Sequence, residues 1–373
     1  MSQLKFISQS AAATSCYPPS NAKDQRFVDS HIDTPIGPVP HVRTTITNAE
    51  LFDHFKCRVS AYRNSYTLEP GLYAVGNPTA ESEVMVSANY KLSFDHLRRA
   101  LSGLDVWVIV LDTKGINVWC AAGKGTFSTS ELISRIRSTR IAELISHKRV
   151  IVPQLGAVGV SAQEVSRATG IRVLFGPVRA TDIKQYIGAG LRATEQMRTV
   201  RFTMLDRLIL TPMEIRPAMS KFPYFAIPGL IIMGLKREGV LFSPLWHEGM
   251  PLVTMLLAAI FSGALLTPLL LPYIPSRAFS VKGYAMGLLA MLGLHLAGLM
   301  GSLHPLVIAA SWIWFPVLSS YVALQFTGST TFTGMSGVKR ELKFGLPLYI
   351  AASAIAACLL IAYKVMDLKG GLS

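Results

Sequence analysis

Cysteine is scarce in this chain: four among 373 residues, at Cys16, Cys57, Cys120 and Cys358. Their separations hold no C-x-x-C pair, no zinc-finger spacing and no paired framework. That excludes a redox dithiol, a structural zinc site and a disulfide scaffold, and it points to a reducing compartment. Acidic residues are also few, 22 against 36 Lys and Arg, for a formal net charge of +14. Such an excess implies an anionic partner. Nucleic acid is set aside because no basic stretch carries interleaved stacking aromatics. The glycine-rich phosphate loop is missing as well. Ala121–Thr126 reads AAGKGT, but Val118 stands where the pattern needs glycine and Gly125 where it needs Ser or Thr. This weighs against a nucleotide-binding transport or docking protein. Finally, Met1–Pro18 has no apolar leader core, so no cleavable signal peptide is expected and the N-terminal half is expected in the cytoplasm.

What is present divides the chain. Residues 1–50 are polar and without a sustained period, and are expected to form an irregular arm. Residues 51–207 alternate short apolar runs (71–75, 84–86, 106–111, 150–152, 173–175) with helical patterns (93–104, 130–146, 162–169). That alternation predicts an α/β domain with a mostly parallel sheet, whose ligands bind at the carboxyl ends of the strands. Residues 208–221 continue a basic bridge and are expected to be a juxtamembrane linker. From residue 222 the chain becomes apolar and nearly acid-free, and about five transmembrane helices are expected: 222–235, interrupted by Pro223 and Pro228, then 252–274, 284–303, 306–326 and 346–366. Arg277, Lys282, Lys339, Arg340 and Lys343 fall in loops on the cytoplasmic side of that arrangement. Only His295 is ionisable in mid-span, with His304 near an end. The basic excess therefore complements anionic membrane lipid.

The candidate site lies in GINVWCAAGKGTFST, residues 115–129, just after the apolar run Val106–Leu111. Gly115 permits a tight turn, and Asn117 is a good N-cap. Val118, Trp119 and Cys120 then open a helix whose unpaired N–H groups favour a thiolate, as does Lys124 at i+4. Ala121, Ala122 and Gly123 strip bulk from the surroundings. On spacing alone, an activated thiolate and a small buried hydrophobe are equal readings of Cys120.

The stretch NVWCAAGK resembles the signature of the HgcA family of mercury-methylating corrinoid proteins, membrane relatives of the corrinoid iron–sulfur protein's large subunit. VSANYKLSFDHLRRAL (86–101), VLFGPVRATDIKQYI (173–187) and FTGSTTFTGMSGVKRE (326–341) are similar to the same families. The resemblance implies a Rossmann-like corrinoid-binding α/β domain followed by an α-helical transmembrane domain in the inner (cytoplasmic) membrane. It implies that Cys120 is the lower axial ligand of the cobalt in a corrinoid (cobalamin), and that the activity is methyl transfer to Hg(II). Its partners would be a dicluster 4Fe-4S ferredoxin of the HgcB kind as electron donor and a methyl donor of the folate one-carbon pathway. A methyl carrier of one-carbon metabolism with another acceptor is the alternative. The row of four cysteines that would hold a resident cluster is missing here, so electrons must come from the partner.

Further contacts to the cofactor are expected from Asn117, Val118, Lys124, and Asn89 with Tyr90 beyond the 84–86 strand. Gly176, Pro177 and Val178 complete the set. Ala121, Ala122 and Gly123 are expected against the cofactor as well, and Trp119 is expected either to pack against the macrocycle or, as the preferred reading, to anchor the cap helix in the core. The sequence Asp29-Ser30-His31-Ile32-Asp33-Thr34 nearly matches D-x-H-x-x-G, but its glycine is missing. His96 is expected on a helix surface, and Arg135, Arg137, Arg140, Lys148 and Arg149 on a solvated basic face.

Overall fold

The computed structural model describes residues 26–326 and 335–370. They separate into an α/β unit ending at Val200 and a helical unit beginning at Arg201. The α/β unit is built on a seven-stranded mixed sheet in the order β1-β2-β3-β5-β4-β6-β7. The strands are β1 Val28–Thr34, β2 Gly37–Val42, β3 Gly71–Val75, β4 Val84–Ala88, β5 Val106–Leu111, β6 Arg149–Val152 and β7 Arg172–Phe175. Strands β5, β4, β6 and β7 are mutually parallel, whereas β3 runs antiparallel to β5. The VWVIVL run of β5 is buried throughout, as a strand covered on both faces must be. Trp107, Ile109 and Leu111 pack on one face with Ala121, Leu132 and Ile136. Val106, Val108 and Val110 pack on the other with Phe94, Leu97 and Tyr186. The helices are α1 Asn48–Val59, α2 Lys91–Ala100, α3 Val118–Lys124, α4 Thr129–Ser138, α5 Ala162–Thr169, α6 Ile183–Gly188 and α7 Glu195–Arg198. The connection from β4 reaches β5 on one side, and the next crosses back to β6 on the other. The order reverses around β4, which opens a crevice at the carboxyl ends of β4 and β6.

The irregular arm expected over 1–50 is corrected from residue 26 onward, residues 1–25 lying outside the described residues. Residues 28–42 form an antiparallel hairpin, and β2 pairs parallel to β3 through His41 and Ala74. His31 lies on β1 opposite Pro40. Helix α1 already begins at Asn48, because Thr47 and Glu50 close a reciprocal cap: Glu50 accepts from the Thr47 N–H at 3.0 Å while Thr47 Oγ1 accepts from the Glu50 N–H at 3.3 Å. Helix α4 stops at Ser138, well before the expected 146, where Arg140 turns left-handed at φ 52°. The expected linker 208–221 is also corrected, since it lies inside α8, Met204–Gly234. That helix is opened by a capping box between Thr203 and Asp206.

Among the described residues of the helical unit, four helices are long and apolar enough to cross a membrane: α9 Phe242–Leu269, α10 Phe279–Leu296, α11 Pro305–Gln325 and α12, whose span is Gly337–Leu368. The fifth expected span, 222–235, is the C-terminal half of α8, a helix holding four prolines. Its Ala226 and Met233 share a core with Met255, Leu256 and Ala259 of α9. Lys282 is buried and donates to the carbonyl of Leu271. It is therefore not the solvated loop charge expected of it. Residues 327–334 of the FTGSTTFTGMSGVKRE segment lie outside the described residues. Glu341 beyond them accepts from the Phe279 and Ser280 N–H groups at 3.1 and 2.8 Å, capping α10 from α12.

Candidate functional site

The site grows from the exit of β5. Asn89, just past β4, is buried, and one side-chain oxygen holds the loop. It accepts from the Thr113 N–H at 3.0 Å, the Thr113 hydroxyl at 2.9 Å and the Gly115 N–H at 3.0 Å. Lys114 and Gly115 both take positive φ, 58° and 70°. A Cβ on Gly115 would come within 2.7 Å of Thr67 Cγ2, so glycine is required there twice over. Asn117 then caps the helix, its Oδ1 accepting from the Cys120 N–H at 2.9 Å. Gly125 ends it at φ 79°, giving Val118–Lys124 a glycine stop. Ala121 and Ala122 face inward. The loop after β6 presses on them so closely that a Cβ on Gly159 would lie 3.2 Å from Ala122 Cα.

Beside this short helix lies a cavity of about 340 Å³, walled by Met85 to Ser87 at the end of β4, by Ile151 and Pro153 of β6 and its exit, and by Gly176 and Pro177 after β7. Asn117, Val118 and Trp119 form its upper edge, and Ser93, His96 and Leu97 of α2 its side. The structure thus brings Asn117, Val118, Trp119, Gly176 and Pro177 together. Cys120 is half-buried one position further along and is not on the cavity wall. Gly123 and Lys124 are exposed on the next turn.

Two expectations change. Of the two readings of Trp119, the core one is corrected, since the side chain is 38% exposed at the cavity edge. Asn89 is committed to the 113–115 loop and is not on the cavity wall. Ser93 and His96 were missed as cavity residues. Their i,i+3 spacing, with Leu97 next to it, puts them on one face of α2.

Electrostatics separate this region from its neighbour. Glu50, Lys91, Asp95 and Arg98 are buried together between α1 and α2. Lys91 reaches Asp95 at 2.9 Å and Arg98 Nε reaches it at 2.8 Å. His54 adds a contact at 2.9 Å. Burial alone would raise the Asp95 carboxyl. The His54 hydrogen bond and the charges of Lys91 and Arg98 overcome it and hold the group below the usual carboxylate range. Burial, with Asp53 beside it, pushes the Cys57 thiol up to about 11. Cys57 is the small core hydrophobe of this unit; the Cys120 setting is different. Among the described residues no three His, Cys, Asp or Glu side chains gather as a metal site.

The chain matches the CO dehydrogenase/acetyl-CoA synthase delta subunit family over residues 44–187. It is 30% identical over 127 residues to the acetyl-CoA decarbonylase/synthase complex subunit gamma of Archaeoglobus fulgidus, covering 34% of this chain and 27% of that one. The same subunit of Methanopyrus kandleri is 27% identical over 134 residues, 35% and 29% of the two chains. That of Methanocaldococcus jannaschii is 32% identical over 104 residues, 27% and 21%. The chain thus spans 21 to 29% of the length of these relatives, and the family match over residues 44–187 falls on the α/β unit.

Proposed function

We propose that the α/β unit binds a corrinoid against the α3 cap helix, with the Cys120 thiolate as lower axial ligand of its cobalt. The chain is then a membrane-bound corrinoid-dependent methyltransferase that uses Hg(II) as methyl acceptor and releases methylmercury. One observation carries this reading: a half-buried thiol on a helix pinned by Asn117, beside a cavity at the carboxyl ends of β4, β6 and β7. The similarity to acetyl-CoA decarbonylase/synthase gamma subunits supports corrinoid methyl-carrier chemistry, and the NVWCAAGK stretch supports the mercury acceptor.

The residues present fit such a group. Ala121 and Ala122 turn inward and a Cβ on Gly123 would meet nothing within 4 Å, so no bulk rises beside the thiol. Trp119 offers a flat apolar face at the cavity edge, and Ser93, His96 and Lys124 offer hydrogen bonds to amide side chains. When bound, the corrinoid supplies a transferable methyl group. Asn117 fixes the Cys120 backbone and so the direction of its sulfur. A soft thiolate donates electron density strongly, which suits delivery to a soft, thiol-seeking Hg(II). The dicluster ferredoxin and a folate-type methyl donor complete the cycle from outside the chain. The four apolar helices anchor it in the inner (cytoplasmic) membrane with the α/β unit on the cytoplasmic face.

A second reading, a methyl carrier of one-carbon metabolism, is favoured by those gamma subunits. Acceptor tests on the methylated holoprotein separate the two, since only the first yields methylmercury from Hg(II). The primary experiment reconstitutes the full chain in detergent with cobalamin and records its visible spectrum. Bound colour whose bands shift in Cys120→Ala is expected. A folded chain that stays colourless, or one whose spectrum ignores Cys120→Ala, would refute the assignment.

A further inference from the structure

The structure ends α10 at Leu296, so His295, expected in mid-span, is its penultimate residue and is exposed there. After α10, Gly298 turns left-handed at φ 77° and folds the chain back, so that Met300 returns beneath the helix end. Its sulfur is 3.4 Å from His295 Nδ1, and the side chain is only 1% exposed. Met291 sits four residues before His295, on the same face of α10, and belongs to the same buried core as Met300. The Trp312 ring stands edge-on, 6.1 Å from the imidazole.

We propose that His295, Met300 and Met291 form a binding site for a soft monovalent d10 metal ion of the Cu(I) and Ag(I) class. Thioether sulfur selects such ions and imidazole tolerates them. Metal–nitrogen and metal–sulfur bonds of about 2.0 and 2.3 Å place two donors on one ion roughly 3.5 Å apart at a tetrahedral angle. The His295–Met300 pair already has nearly that separation. All three donors are neutral, and the surroundings, Leu303, Val307 and Trp312, are apolar. Bringing one unit of charge there costs far less than bringing two, which favours a monovalent ion over Hg(II) or Zn(II). The site is independent of the corrinoid assignment and shares no residue with it.

The test uses the full chain in detergent with Cys16, Cys57, Cys120 and Cys358 replaced by alanine, so that thiols do not compete, and titrates it with Ag(I). One saturable equivalent is expected. Met300→Leu, which keeps the volume of the core, and His295→Gln should each weaken it by about tenfold or more. X-ray absorption of the Cu(I) form should show both sulfur and nitrogen neighbours. On the unsubstituted chain, the histidine ¹⁵N resonance that disappears in His295→Gln should move on adding Ag(I). The absence of a saturable equivalent overturns the proposal, as do unchanged affinities in both variants or an unmoved resonance.

Discussion

The α/β unit and the helical unit both bury charge, and they do so in opposite ways. In the first, Glu50, Lys91, Asp95 and Arg98 are sunk in one corner, where Arg98 also donates to the Arg43 and Thr45 carbonyls at 2.7 and 2.9 Å. That corner welds the segment after the β1–β2 hairpin and α1 onto α2, and no member of it lines the cavity. In the second, Lys236, Glu248, Lys364 and Asp367 are paired near helix ends, Lys364 buried and the other three half-buried. Those pairs neutralise Lys236 and Lys364, which a simple loop count would score as free positive charge. Ionic contact is thus structural cement in one unit and a terminal clip in the other, and it leaves both candidate ligand positions, Cys120 and His295, outside the charge networks.

Five substitutions and one pH series sharpen that contrast. The largest effect is expected at Cys120. Its change to alanine should abolish methylmercury formation by the holoprotein while costing only about 1 kcal/mol of stability, as ordinary substitutions do. Cys120→His should retain some corrinoid binding and transfer far less methyl than the natural chain. Next comes Asp95→Asn, which strands Lys91 and Arg98 in the core and should destabilise the α/β unit by about 3–5 kcal/mol in denaturant titrations. A cost under about 1 kcal/mol would show that the corner is no weld. Asn117→Ala should cost roughly 0.5–2 kcal/mol and reduce transfer mildly, since the sulfur stays in place. Glu248→Gln, in the partly exposed clip, should cost no more than about 1 kcal/mol.

The smallest effect concerns alkaline pH. The folded Cys57 thiol titrates near 11, against about 8.5 in an unfolded chain. Its contribution to stability is complete below the unfolded value and is lost as pH rises through the folded one. Cys57→Ala should flatten that slope in melts recorded across the interval. Asp95 works at the other end. Its depressed carboxyl contributes above about pH 3.9 and the contribution is lost as pH falls.

The cap helix was legible because its signals are local: an Asn cap, a glycine stop and two small inward residues. The four central parallel strands were legible as continuous apolar runs. The β1–β2 hairpin was not. VDSHIDT exposes polar side chains, and GPVPHV carries Pro38 and Pro40, which read as interruptions although an edge hairpin tolerates them. Trp119 misled because a tryptophan usually belongs to a core, and nothing in its neighbours tells that the helix presents it outward. His96 went unseen as a cavity residue because the opposite walls of the cavity, from β6 and the turn after β7, are distant from it in sequence. The Lys282 and Glu341 contacts join residues that are distant along the chain, and no periodicity announces them.

Asn89 has a consequence that reaches beyond shape. One carbonyl oxygen receives three donors from the 113–115 loop, so that loop opens all at once or stays shut. The Thr113 and Gly115 amides, although outside any strand or helix, should then exchange hydrogen with solvent as slowly as the β5 amides they follow. The support of the cap helix is in that sense an extension of the sheet's own cooperative unit, and the thiol it carries inherits the sheet's slow clock.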